Sequence, residues 1–173
     1  MLVAVFSDTH NNLTNLERAI NILKEYPTIK DLIHCGDIAN KESLFYLSNK
    51  FKGNIFIVFG NIDKEFGLDE FLDKHPIKKI KIFKNLGSIE LSGRKIFFIH
   101  KKQDLPPGCQ LADKDADIIF YGHTHRPWEE NYGGIRLINP GNLEGTFCRP
   151  TFAIYDTASQ EVKLIDLDFF KKS

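Results

Sequence analysis

The stretch Leu2-Val3-Ala4-Val5-Phe6-Ser7-Asp8-Thr9-His10 decides how this chain is read. Its first five residues are all apolar, as expected of a strand buried on both faces. A carboxylate and an imidazole follow where such a strand would end. The same phrase recurs along the chain. Leu32-Ile33-His34-Cys35 runs into Gly36-Asp37, and Ile55-Phe56-Ile57-Val58-Phe59 runs into Gly60-Asn61-Ile62-Asp63. Ile96-Phe97-Phe98-Ile99 runs into His100, and Ile118-Ile119-Phe120-Tyr121 into Gly122-His123-Thr124-His125. A glycine often precedes the polar residue and lets the chain turn sharply there.

Between the early strands the pattern is helical. Asn12 caps a helix with Leu13, Leu16, Ile20 and Leu23 on one side, stopped by Pro27; Glu42 to Lys50 gives a second, with Leu44, Phe45 and Leu47 as its apolar side. Strands at Leu2–Phe6, Asp31–Cys35 and Asn54–Phe59 alternating with these helices predict parallel βαβ units. From Ile80 the character changes. Ile80 to Phe83 and Ser88 to Leu91 alternate loosely, and Ser92-Gly93 turns the chain into Lys95 to Ile99. The expectation is that the chain moves there into a second, more antiparallel sheet. Asp117 to Tyr121 reads as another buried strand. Hairpins are expected around Tyr132-Gly133-Gly134 and between Thr151–Tyr155 and Glu161–Phe169. The architecture expected is one α/β domain over residues 1–173, with two stacked mixed sheets flanked by helices in four layers, α/β/β/α.

Bulk properties narrow the partners. With 173 residues, 42% of them hydrophobic, the chain can bury one sizeable core. Lys+Arg and Asp+Glu both total 23, which argues against a general nucleic-acid or membrane surface. No apolar run is long enough to span a bilayer. Residues 1–6 are too short for a signal peptide and lack a charged lead. Cys35, Cys109 and Cys148 are scattered and odd in number, so no disulfide framework is implied. A cytoplasmic protein is expected. Fifteen phenylalanines are compatible with a homo-oligomer but locate no interface.

In open α/β sheets, sites form at the carboxyl ends of strands, so strands sharing a sheet edge would bring their polar ends together. Those ends supply Asp8, His10, Asp37, Asn61, His100, His123 and His125. Oxygen and imidazole donors without thiolate suit Mn, Fe, Co, Ni or Zn. Seven side chains exceed the needs of one ion. Shared between two ions by a bridging carboxylate, they give each four protein contacts and leave positions for water. Ions about 3.5–4 Å apart can activate a bridging hydroxide and hold both oxygens of an in-line phosphoryl displacement. His123 and His125, two residues apart after a strand, are expected to point the same way. Singly, each aspartate also reads as a turn residue and each histidine as a loop residue. Their joint placement after five strands is what favours a metal site.

These motifs resemble the calcineurin-like metallophosphoesterases, especially their small single-domain bacterial and archaeal branch. Asp8-Thr9-His10 matches the family's D-x-H, Gly36-Asp37 its G-D, Gly60-Asn61 its G-N, and Gly122-His123-Thr124-His125 its G-H-x-H. Ile138-Asn139-Pro140-Gly141 looks like the phrase that usually follows the last hairpin. The resemblance runs from Leu2 to about Pro150. It implies that Asp8, His10 and His125 hold one ion, that Asn61, His100 and His123 hold the other, and that Asp37 bridges them. Manganese is the first choice of metal. The implied activity is hydrolysis of a small phosphate ester, a phosphodiester before a phosphomonoester.

Two departures bear on mechanism. Larger relatives carry a histidine after G-N, where this chain has Ile62, so no side chain there protonates a leaving group and good leaving groups are favoured. The family's H-x-H is His100-Lys101-Lys102 here; Lys101 or Lys102 becomes a candidate for holding a substrate phosphate as a point charge. Asp63 and Arg126 join Asn61 as candidate catalytic helpers, each with an ordinary turn or surface reading beside it. His34 is read as a core residue, His75 as solvated, and Cys35 as a buried small hydrophobe. The loop Asp104-Leu105-Pro106-Pro107-Gly108 is expected to shorten or delay a helix that relatives start there. The competing function is a non-catalytic, metal-binding scaffold of the same fold, as in the retromer subunit related to it. Completeness of the ligand set favours the enzyme.

Overall fold

The computed structural model describes residues 1–107 and 116–170; Cys109 and Lys171-Lys172 lie outside them. Eleven strands among these residues form two sheets. The first has the order β11 (Val162–Asp166), β10 (Thr151–Asp156), β1 (Leu2–Phe6), β2 (Asp31–His34), β3 (Asn54–Val58), β4 (Ile80–Phe83). The second has the order β5 (Leu86–Leu91), β6 (Arg94–Ile99), β7 (Ile118–Tyr121), β9 (Ile135–Asn139), β8 (Trp128–Tyr132). Both are mixed: β1 to β4 run parallel, as do β6, β7 and β9, and antiparallel pairs complete each edge.

Strand alternation builds the core in layers. Ala4 and Phe6 face α1 (Leu13–Leu23) and α2 (Lys41–Lys50), in a cluster with Leu16, Ile20, Leu44 and Leu47. Val3 and Val5 face the other sheet, packing with Ile96, Phe98, Ile118 and Phe120. Phe97, Ile99, Ile119 and Tyr121 form a third cluster on the far face of the second sheet, with Leu105 against them. Asn12 caps α1 by accepting the Asn15 N–H, as its sequence position anticipates. Two mixed sheets flanked by helices therefore stand as expected. The fourth layer opens with a single 3₁₀ turn at Lys102–Asp104, and Gly108 onward lies outside the described residues.

Three expectations are corrected. Ile80–Phe83 does not enter the second sheet: it pairs parallel to β3, Ile82 opposite Ile57, and that crossover is made by two short helices, α3 (Asn61–Glu65) and α4 (Leu68–Lys74). The sheet change comes one strand later. Secondly, the closing hairpin returns to the first sheet, β10 pairing antiparallel to β1, and its second strand stops at Asp166 rather than Phe169. Thirdly, the five polar strand ends do not share one sheet edge. Three belong to the first sheet and two to the second, and stacking brings them together. Among the described residues no helix is long and apolar enough to cross a membrane.

Candidate metal centre

Backbone hydrogen bonds stitch the loops at the strand ends to one another. Asp8 N–H donates to Gly36 O and His10 N–H to Asp37 O, each at 3.0 Å, and Gly122 N–H donates to His100 O at 3.0 Å. Asp8, His10, Asp37, His123 and His125 all have φ between 43° and 70°, the left-handed region that non-glycine residues rarely adopt. Such strain persists where surrounding structure over-determines it, commonly at functional sites. It also corrects the expectation for His123 and His125. Neither continues strand geometry, so they diverge: the His123 ring lies 5.1 Å from that of His100, and the His125 ring 4.9 Å from that of His10.

Two carboxylates form the middle. Asp8, fully buried, has Oδ1 3.2 Å from His125 Nε2 and 3.7 Å from His10 Nε2, while its Oδ2 accepts the Ser7 hydroxyl at 2.5 Å and the His123 N–H at 2.9 Å. Asp37 Oδ1 accepts the Ile62 N–H at 2.9 Å, which leaves Oδ2 3.5 Å from His10 Nε2 and 3.3 Å from His100 Nε2. Asn61 Oδ1 lies 3.2 Å from the same His100 nitrogen. Two groups, Asp8/His10/His125 and Asp8/Asp37/His100, each gather their ligand atoms within 4.8 Å. His10 Nε2 is buried without a hydrogen-bond partner, although two carboxylates lie beside it. A buried polar nitrogen left unpaired is costly. A cation between it and the carboxylates would satisfy it, and the donors fit a divalent metal.

The charges agree. Burial alone would raise the Asp8 carboxyl, but the imidazoles of His10, His125 and His100 and the Ser7 hydroxyl outweigh it and hold it far below the usual range. Asp37 shows the same contest, with His100 and the Ile62 N–H lowering it against burial. Burial opposes the charged form of His100, yet Asp37 and Asp8 raise it; Asp8 likewise raises His125. His123 is lowered by burial and by the nearby charges of His100 and Lys101.

A supporting ring orients these groups. His100 Nδ1 lies 2.9 Å from Cys35 O and His125 Nδ1 lies 2.9 Å from Glu144 Oε2, which turns each Nε2 inward. Asn139 Nδ2 donates to Gly122 O and Asn142 Nδ2 to His125 O, both at 2.9 Å, fixing the G-H-x-H loop. Asp63 is fully buried and accepts the N–H groups of Asp37, Ala39 and Gly60 at 2.7, 2.8 and 2.9 Å. It binds backbone on the side away from the donors. Glu144 and Asn142 escaped the sequence reading; only the phrase Asn139-Pro140-Gly141 hinted that this loop mattered. His34 is core, as read, and is hydrogen-bonded through Nε2 to Thr9 Oγ1 at 2.8 Å. His75 is exposed beside Phe71, and Arg126 is exposed. Lys102 Nζ is taken up by Glu130 at 2.6 Å, whereas Lys101 lines a cavity beside His100 and Asn61.

Known proteins share this arrangement. A family model described as the calcineurin-like phosphoesterase superfamily domain matches residues 1–160. Phosphodiesterase MJ0936 of Methanocaldococcus jannaschii is 31% identical over 97% of this chain and 100% of its own length. Phosphodiesterase YfcE of Escherichia coli is 26% identical over 79% of this chain and 76% of its own length. Among solved structures, an archaeal phosphodiesterase matches with a TM-score of 0.79 at 30% identity, covering 96% of this chain and 99% of that one. Vps29 of Entamoeba histolytica complexed with zinc matches with a TM-score of 0.62 at 19% identity, over 96% and 99% of the two chains, a likeness of fold alone. On the family match and these motifs, the chain belongs to the calcineurin-like phosphoesterase superfamily.

Proposed function

We propose that this protein is a metal-dependent phosphodiesterase that hydrolyses a small phosphate ester in the cytoplasm. Two divalent ions, manganese first among them, would be held by Asp8, His10 and His125 on one side and by Asn61, His100 and His123 on the other. The observation that carries this reading is Asp37 Oδ2, placed within 3.5 Å of His10 Nε2 and 3.3 Å of His100 Nε2. One carboxylate oxygen thus addresses both halves of the donor set. When bound, such an ion pair supplies a nucleophilic hydroxide near neutral pH and offsets charge on the phosphoryl oxygens.

The chain's own residues hold and aim this arrangement. Ser7 and the His123 N–H keep Asp8 ionised and fixed, and the Ile62 N–H turns Asp37 Oδ2 inward. Thus the position where larger relatives carry a histidine contributes a backbone donor to a carboxylate and no acid for the leaving group. Esters with good leaving groups are favoured accordingly. Lys101 lies beside His100 and Asn61 on the cavity wall, in reach of a substrate phosphate. Lys102, paired with Glu130, is the weaker candidate. Arg126 and Asp63 are further from the chemistry: one is exposed, the other bonded to backbone.

The test is to strip metals and assay bis-p-nitrophenyl phosphate and p-nitrophenyl phosphate with Mn, Ni, Co, Zn and Mg added singly. Asp37→Ala and His123→Ala run beside the native protein. The expected result is metal-dependent cleavage, faster for the diester, that both variants lose. Metal binding without cleavage of either ester would replace this reading with the scaffold.

A further inference from the structure

A cavity of about 310 Å³ opens directly off the metal centre on its Asn61 and His100 side, and its wall carries Lys64, Lys101 and Asp104. Neither lysine forms an ion pair within 4 Å among the described residues. That is unusual in a chain with equal numbers of acidic and basic side chains, where Lys102, Arg94 and Arg136 all have acidic partners. A second cavity adjoins it, sharing Phe59, Lys64 and Asn85, and carries Asp69, Asp73 and Lys84. The positive sign is therefore confined to the part next to the centre. Further out, two carboxylates face anything that extends past Lys64.

The ester phosphate at the centre already has the metal site to neutralise it, so it leaves Lys64 and Lys101 without a task. Resting on the phosphodiesterase reading, the geometry points to a substrate diester one of whose arms bears a second phosphate, held between Lys64 and Lys101. Ammonium groups serve phosphates as point charges, which suits two flexible side chains on opposite walls. A polynucleotide does not fit, because its next phosphates would meet Asp69 and Asp73. The class is a small diester with one additional anion, such as a nucleoside bearing phosphates at two positions.

The experiment compares two chromogenic diesters that differ by one phosphate: the p-nitrophenyl ester of thymidine 5′-phosphate, and the same ester carrying a 3′-phosphate. The native protein is expected to favour the second by about tenfold in kcat/KM, expressed mostly in KM. Lys64→Ala/Lys101→Ala should bring that ratio to about one, while Lys84→Ala, from the outer cavity, leaves it unchanged. A native ratio near one, or a ratio untouched by the double variant, overturns the proposal. Calorimetric binding of thymidine 3′,5′-bisphosphate against thymidine 5′-phosphate gives the same comparison without turnover. If no diester is cleaved, the phosphodiesterase reading fails while this binding ratio still decides the subsite: about tenfold supports it, equal affinities overturn it.

Discussion

Asp63 Oδ2 accepts the Asp37 N–H at 2.7 Å, and the same oxygen accepts the Gly60 N–H at 2.9 Å. One buried carboxylate thus ties the loop after β2 to the loop after β3, and the central donor Asp37 rides on that tie. Burial pushes the Asp63 carboxyl up, while the backbone donors work against it. Asp63→Ala should leave three buried N–H groups without an acceptor and cost about 3 kcal/mol or more in urea unfolding. Asp63→Asn, with one acceptor oxygen, should cost roughly half as much. A loss under about 1 kcal/mol for alanine would show that water takes over these donors.

Glu144 tests the aim of His125. With its Oε2 2.9 Å from Nδ1, it sets which ring nitrogen faces Asp8. Glu144→Gln should lower metal affinity by about 10- to 100-fold, measured by competition with a chelator, with the unfolding midpoint nearly unchanged. Unaltered affinity would leave the His125 ring held by packing alone.

Gly60 tests how closely the two loops must approach. Its φ of −85° suits any residue, yet a Cβ there would lie 1.9 Å from Asp37 Oδ1. Gly60→Ala therefore imposes a clash without backbone strain. The variant should fold, and metal titration should show binding weakened by more than about tenfold. Native affinity would mean that Asp37 can shift without consequence.

The metal donors are legible because each stands after an apolar strand, and a strand's end is marked locally by glycine and polarity. Glu144 is not, since its place comes from distant pairing: Leu143 and Glu144 donate their N–H groups to Asp8 O, at 3.1 and 2.9 Å. The misreading of Ile80–Phe83 and the missed helices at Asn61–Glu65 and Leu68–Lys74 are one error. Gly67, at φ 62°, interrupts the apolar spacing of Ile62, Phe66, Leu68 and Leu72, and neither fragment is long enough to show a period. Without a helix in view, a parallel crossover from β3 to β4 has no support, and alternation alone suggests a hairpin.

His34 gives a pH dependence away from the metal donors. Burial holds its imidazole down to about 4, from an ordinary 6.5. The folded state prefers the neutral ring, so its contribution is complete above pH 6.5 and is lost as pH falls through 4. The whole effect amounts to roughly 3 kcal/mol. His34→Gln should lose less stability than the native protein between pH 6.5 and 4 in denaturant unfolding. Parallel curves would show that the ring charges in place.

The most direct test of the central claim is anomalous diffraction from crystals of the protein loaded with manganese. Two peaks about 3.5–4 Å apart are predicted. One should lie among Asp8, His10 and His125, the other among Asn61, His100 and His123, with an Asp37 oxygen in contact with both. A single peak, or two peaks that do not share Asp37, would contradict the account.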